Sequence, residues 1–280
     1  MKIRTINSTP GLRGAAPRKP VSNQQRLNLF SSAYTDMKKI LIVTMKLDPH
    51  ADAVIDRLEQ MNEVVFRLNS EDLLNDYSVC FEQDDTGNSL GEIVSRSQRS
   101  ILIPSEIKSA YYRKPKPVTP HIELTQEGAK EFAVTEGQEA LRSLYAFPGV
   151  KWINSPFAIQ RAQIKFPQLA AAKQLGFRIP RTLITNDPDR AHQFCRECRN
   201  QVICKSLLTT SVKLDDLSYH TYTHKVAEKE LEDCLSNVRY APTLFQEYIP
   251  KKTEIRATVM GDEVFACEID SQVLPESSID

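Results

Sequence analysis

Hydrophobic and polar positions first settle into a regular pattern at residue 37. Met37-Lys38-Lys39 leads into an apolar run, Ile40 to Thr44, of strand length. Asp48 then stands where a helix N-cap belongs, with Pro49 at the first turn, and the 3.6-residue period predicts a helix over 48–61. Val64 to Leu68 reads as a second strand. Ser78 to Glu82 and Gly91 to Val94, either side of the turn residues Asp84 to Asn88, read as a hairpin. Ile101 to Pro104 and Ser109 to Arg113 follow, before Pro115, Pro117 and Pro120 impose an extended loop. The longest helical pattern runs from Glu123 to Phe147 and stops at Pro148-Gly149. Residues 37–150 therefore predict a small α/β domain with a mixed sheet.

The pattern in the remaining residues is shorter in period. Trp152-Ile153 is a brief strand, and helices fit Pro156 to Ala162 and Phe166 to Leu175, the second ending at Gly176. Strands are expected at Thr182 to Ile184, Val202 to Lys205 and Tyr219 to Val226, and helices at Pro188 to Cys198 and Glu228 to Leu235. Thr243, Leu244, Phe245, Tyr248 and Ile249 suit a buried strand that Pro250 ends. Glu254 to Met260 and Glu263 to Asp270 flank Gly261-Asp262, a hairpin signature. On its first arm Ile255, Ala257 and Val259 alternate with Glu254, Arg256 and Thr258, so one face carries a carboxylate and a guanidinium. A solvated amphipathic hairpin and a functional one both satisfy that alternation.

Composition narrows the class. The chain has 280 residues, 41% hydrophobic and 26% charged, as in globular proteins with a sizeable core, and the length allows two domains. Lys plus Arg and Asp plus Glu number 36 each, which gives no sign of a nucleic-acid partner. No run is long enough to span a membrane and no secretory signal opens the chain, so a cytoplasmic protein is expected. Residues 1–36 hold six basic residues and one acid, a net +5 against −5 for the rest, with scattered Pro, Gly and Ser. They read as a disordered basic tail; a true start at Met37, a transit peptide and a fused leader-like peptide all remain open for it. The six cysteines do not make a disulfide framework at this length. Cys195 and Cys198, with His192 nearby, could hold zinc in principle. Their spacing with Ala191 and Phe194 on one helix face instead predicts buried packing.

Taken in order, an apolar strand delivering Lys205, a strand ending Gln246-Glu247-Tyr248-Ile249, and Glu254-x-Arg256 on a hairpin resemble the nucleotide site of ATP-grasp proteins. The phrases KKILIVT, YYRKP, WINSP, GFRIPRTLITN and EIRATVMGDEVFACEIDSQ resemble, more closely, the ligases that crosslink microviridin-type (graspetide) precursor peptides. The resemblance runs from about Met37 to Gln272. It implies an α/β (α+β), ATP-grasp-like fold: the N-terminal domain at 37–150, then a central domain and a partial C-terminal grasp domain at 151–280. It also implies that Lys205 and Lys165 contact nucleotide phosphates, that Gln246, Glu247, Tyr248 and Ile249 form the hinge facing adenine, and that Arg256 sits near the transferred phosphate. Glu254 would orient that arginine or touch the peptide. A lysine at a strand end and a planar guanidinium are chemically suited to those roles.

The implied reaction is phosphorylation of an Asp or Glu side chain of a precursor peptide (leader and core) by ATP, followed by ester or amide formation. Two departures bear on it. The segment Ser206 to Ser211 has no glycine where the family closes a glycine-containing loop over the phosphates. The family's magnesium ligands come from a segment after the position of Gln272, and no residue here obviously replaces them, so an incomplete enzyme is expected. A non-catalytic leader-peptide or partner-binding protein and a small-molecule carboxylate–amine ligase are the alternatives. A homodimer is compatible with the sequence.

Overall fold

The computed structural model describes residues 38–208, 211–214, 217–220, 222–227 and 235–273. The tail at 1–36, the start at Met37, most of the helix expected at 228–235, Thr209 and Thr210 in the glycine-free segment, Cys234 and residues 274–280 lie outside them. The chain divides into two compact units, Met1–Arg161 and Ala162–Asp280.

The first unit is built on β1 (Lys39–Thr44), whose positions 40–44 are all buried. It lies between two parallel neighbours, β2 (Val65–Asn69) and β6 (Ile107–Tyr112), and β7 (Trp152–Ile153) completes the order β2-β1-β6-β7. A parallel strand with neighbours on both sides needs cover on both faces, which is why its sequence is uninterrupted by polar residues. Ile40 and Ile42 meet helix α1 (Pro49–Gln60) through Ala51, Val54 and Ile55. Leu41 and Val43 meet Leu141, Leu144 and Tyr145 of helix α3 (Glu127–Tyr145) on the other face. Asp48 caps α1 as expected, accepting from the His50 and Ala51 N–H groups, and Thr44 Oγ1 donates to it at 2.9 Å.

Between β2 and β6 lie a one-turn helix, α2 (Leu73–Asp76), and β3 (Tyr77–Gln83), β4 (Ser89–Ser95) and β5 (Ser100–Leu102). These strands form their own antiparallel sheet, so the single mixed sheet expected is two sheets of unlike direction. Strand-by-strand alternation does not report which strands share a ladder.

In the second unit β9 (Val202–Lys205) and β13 (Thr243–Glu247) are the inner strands of an antiparallel sheet. The edges are β12 (His224–Lys225) and β8 (Thr182–Thr185). Helix α6 (Pro188–Glu197) covers one face: Ala191, Phe194, Cys195 and Cys198 pack with Val202, Val226, Val238 and Phe245. The cysteines are thus core residues, as their helical spacing predicts, and burial pushes the Cys195 thiol up to about 11. The strand expected at Tyr219 to Val226 is two. Its first part, β11 (Leu217–His220), pairs with β10 (Ser211–Leu214), and only β12 joins the main sheet. Helices α4 (Pro156–Gln163) and α5 (Lys165–Gln174) precede β8. The hairpin of β14 (Glu254–Met260) and β15 (Glu263–Ile269) forms as read, as a sheet of its own.

Candidate functional site: one face of the antiparallel sheet

Register assigns every residue of the β9–β13 pair to a face, because side chains directly opposite in a ladder point the same way. Lys205 is opposite Leu244, and Ile203 is opposite Gln246. From the edges, Lys225 is opposite Ile203, Ile184 opposite Leu244 and Thr182 opposite Gln246. These residues share one face. The other holds Val202, Cys204, Phe245 and Glu247, opposed as Phe245 to Cys204 and Glu247 to Val202. That second face carries the α6-covered core.

The sheet therefore brings Lys205 and Gln246 onto one surface. Lys205 is half-buried at the carboxyl end of its strand, which stiffens the stem of a long side chain and fixes where its ammonium projects. Gln246 is oriented by its amide, which donates from Nε2 to Thr182 Oγ1 at 2.9 Å. Glu247 does not join them. It lies on the core side of the strand, its N–H reaches Arg181 O at 2.9 Å, and its carboxylate accepts from the Arg181 N–H at 3.4 Å. Tyr248 follows the strand end, tied by its N–H to Gln201 O at 2.9 Å. Of the expected adenine-facing segment, two N–H groups are thus committed to the strand's own pairing. Among the described residues the Ile249 N–H has no backbone acceptor, and its side chain is exposed.

The other expected residues stand on separate elements. Lys165 is the first residue of α5 and half-buried. Arg256 and Glu254 belong to the β14–β15 hairpin, which makes no ladder with β13. Arg256 is exposed and opposite Cys267. The Lys251 ammonium donates to Glu254 at 2.5 Å, so the carboxylate expected to orient Arg256 has a lysine partner instead.

Sequence reasoning passed over Lys225. Its ammonium lies 4.2 Å from the centroid of the Tyr248 ring, on the face shared with Lys205. The alternation around it was legible, but its pairing with Ile203 was not.

No protein-family model matches the chain, and no curated protein matches it. Solved structures do. An ATP-grasp ligase of Chryseobacterium gregarium associated with RiPPs, solved with ADP and a leader and core peptide, is 28% identical with a TM-score of 0.77; the match covers 87% of this chain and 72% of that one. The chain is similar in sequence and fold to RiPP-associated ATP-grasp ligases. The macrocyclase MdnC of Microcystis aeruginosa, bound with precursor peptide MdnA, is 25% identical with a TM-score of 0.74, over 83% of this chain and 74% of that one. MdnB of the same organism, at 24% and 0.67, shares the fold.

This ATP-grasp-like chain has features that suit a nucleotide: a half-buried lysine at a strand end, an oriented amide on the same face, and an N–H beyond the strand that has no backbone acceptor among the described residues. Among the described residues no group of three or more His, Cys, Asp or Glu side chains could hold a metal ion. Among those residues, too, no helix is long and apolar enough to cross a membrane.

Proposed function

We propose that this chain is an ATP-dependent ligase of ribosomal peptide maturation, of the microviridin type, acting in the cytoplasm on a precursor with leader and core segments. A carboxylate oxygen of a core Asp or Glu attacks the γ-phosphorus, releasing ADP and leaving an acyl phosphate. A Ser or Thr hydroxyl, or a Lys amine, then attacks that carbonyl, so that phosphate leaves and an ester or amide remains. Lys205 holds the nucleotide phosphates as a compact charge, joined by Lys165 from α5. Gln246 and the segment through Ile249 receive the adenine edge. Arg256 offers two parallel N–H donors to the transferring phosphoryl group, and Glu254 lies beside it on the hairpin face that meets the peptide.

The observation that carries this reading is the likeness to the Chryseobacterium ligase, together with the placing of Lys205 and Gln246 on one sheet face. The test is ADP affinity and ATP turnover of the full chain, with and without an acidic precursor peptide. Lys205→Met keeps most of the stem and removes the charge; it is expected to weaken ADP binding at least about tenfold with an unchanged melting temperature. Peptide-stimulated turnover supports the ligase. Unchanged ADP affinity in the variant removes the sheet face from the nucleotide site.

A further inference from the structure

Lys225 and Tyr248 come from strands that are not neighbours. In the order β12-β9-β13, Lys225 belongs to one side of β9 and Tyr248 follows the strand on the other. Their contact, 4.2 Å from ammonium to ring centroid, must therefore pass over β9. Register says where. Lys225 is opposite Ile203, and the Tyr248 N–H is bonded to Gln201 O, so the bridge crosses β9 between positions 201 and 203. It crosses on the face of Lys205, since Lys225, Ile203 and Gln246 share that face. Ile203 beneath it is 8% exposed, although it points away from the α6-covered core.

That space has a second claimant. A base whose edge meets the segment Gln246 to Ile249, with its phosphates at Lys205, must lie over β9 near Ile203, where the Lys225 ammonium and the Tyr248 ring now meet. From this we infer that Lys225 is an affinity-setting clasp of the nucleotide site: in the ligand-free protein it covers the base position, and a purine ring enters by displacing its ammonium from Tyr248. The inference rests on the nucleotide reading given above. The exchange is chemically balanced, because an aromatic face that attracts a cation also stacks a base, and the two interactions are of similar strength. A ligand that cannot stack, such as inorganic pyrophosphate, gains nothing from opening the clasp. The lysine thus lowers affinity for the base and leaves affinity for the phosphate part unchanged.

Two measurements on the full chain test this. In Lys225→Met the stem remains and the cation is gone, so adenosine should bind about 2- to 30-fold more tightly than to wild type, while Lys225→Arg, which restores a cation over the ring, should bind as wild type does. Equal or weaker adenosine binding in Lys225→Met overturns the clasp. In wild type, acetylation of Lys225 by N-hydroxysuccinimidyl acetate, followed by mass spectrometry, should accelerate when ADP is added. Tyr248→Leu should make that rate high and independent of ADP. Protection of Lys225 by ADP, or no change, assigns the lysine to direct contact or to the surface and overturns the inference. ADP binding lost in Lys205→Met but indifferent to Lys225 leaves the nucleotide reading standing and removes only the clasp; a wild-type chain that binds no ADP removes both.

Discussion

The second unit contains two antiparallel structures that the sequence makes look alike, and they are held in different ways. In the β12-β9-β13-β8 sheet Leu244 and Phe245, adjacent and on opposite faces, are each 2% exposed. In the β14–β15 hairpin nearly every residue is exposed on both faces, Ile255 at 72% and Phe265 at 51% among them. Lys205 is consequently aimed by a packed strand, whereas Arg256 is aimed only by its ladder with Cys267. An isolated two-stranded hairpin is marginal in water, so groups it carries are located by whatever it next meets. Pre-organisation is thus concentrated at Lys205, the proposed phosphate-holding residue, and we propose that Arg256 is set in place during binding.

The largest expected effect follows from that difference. Phe245→Ala removes a ring packed among Val202, Val226 and Val238, and should cost about 3 to 5 kcal/mol of unfolding free energy. Phe265→Ala, on the exposed hairpin, should cost less than about 1 kcal/mol. Urea titration of both variants decides it: comparable losses would mean that the hairpin is as well packed as the sheet, and the contrast would go.

A smaller effect comes from a polar group anchored by burial in the first unit. Burial pushes the Asp48 carboxyl up. The Thr44 hydroxyl, the Ala51 and His50 N–H groups and the charge of Arg113 outweigh it, and the group titrates below its ordinary value. A carboxyl with a depressed folded pKa stabilises above the unfolded value, near 4, because the unfolded chain takes up the proton first. That contribution is lost as pH falls through the lower folded value. Asp48→Asn should therefore reduce stability by about 1 kcal/mol at pH 7 and flatten its decline between about pH 5 and pH 3, with Asn still able to cap α1. Parallel pH profiles for variant and wild type would place the depression elsewhere.

Which parts of this were legible follows from the same physics. The Asp48-Pro49 start of α1 and the Gly261-Asp262 turn were readable because caps and turns are set by a few adjacent residues. The apolar run of β1 and the cysteine face of α6 were readable because burial writes itself into period. Strand partnership was not. Nothing in Tyr219 to Val226 says that its first half pairs with β10 and its second with β9, so Lys225 could not be placed. Nor does alternation say which face of β13 meets the core, so it does not tell whether Gln246 or Glu247 shares the face of Lys205.

The smallest expected effect isolates the hairpin itself. Gly261 has φ of +62°, and Asp262 does not share the left-handed region, so glycine stands at the first central position of a two-residue turn that requires it there. A Cβ added at Gly261 meets nothing within 4 Å, so Gly261→Ala carries backbone strain without a clash. The strain, about 1 kcal/mol, belongs to the folded hairpin alone. If β14–β15 opens independently of the sheet, hydrogen exchange of its ladder amides should quicken about fivefold. The urea midpoint of the second unit should not move, because the cooperative transition reports the core around Phe245, which the turn does not touch. A midpoint that shifts in step with exchange would show hairpin and sheet melting as one body. Arg256 would then be as firmly held as Lys205, and the division of the site into a fixed lysine and a docked arginine would have to be abandoned.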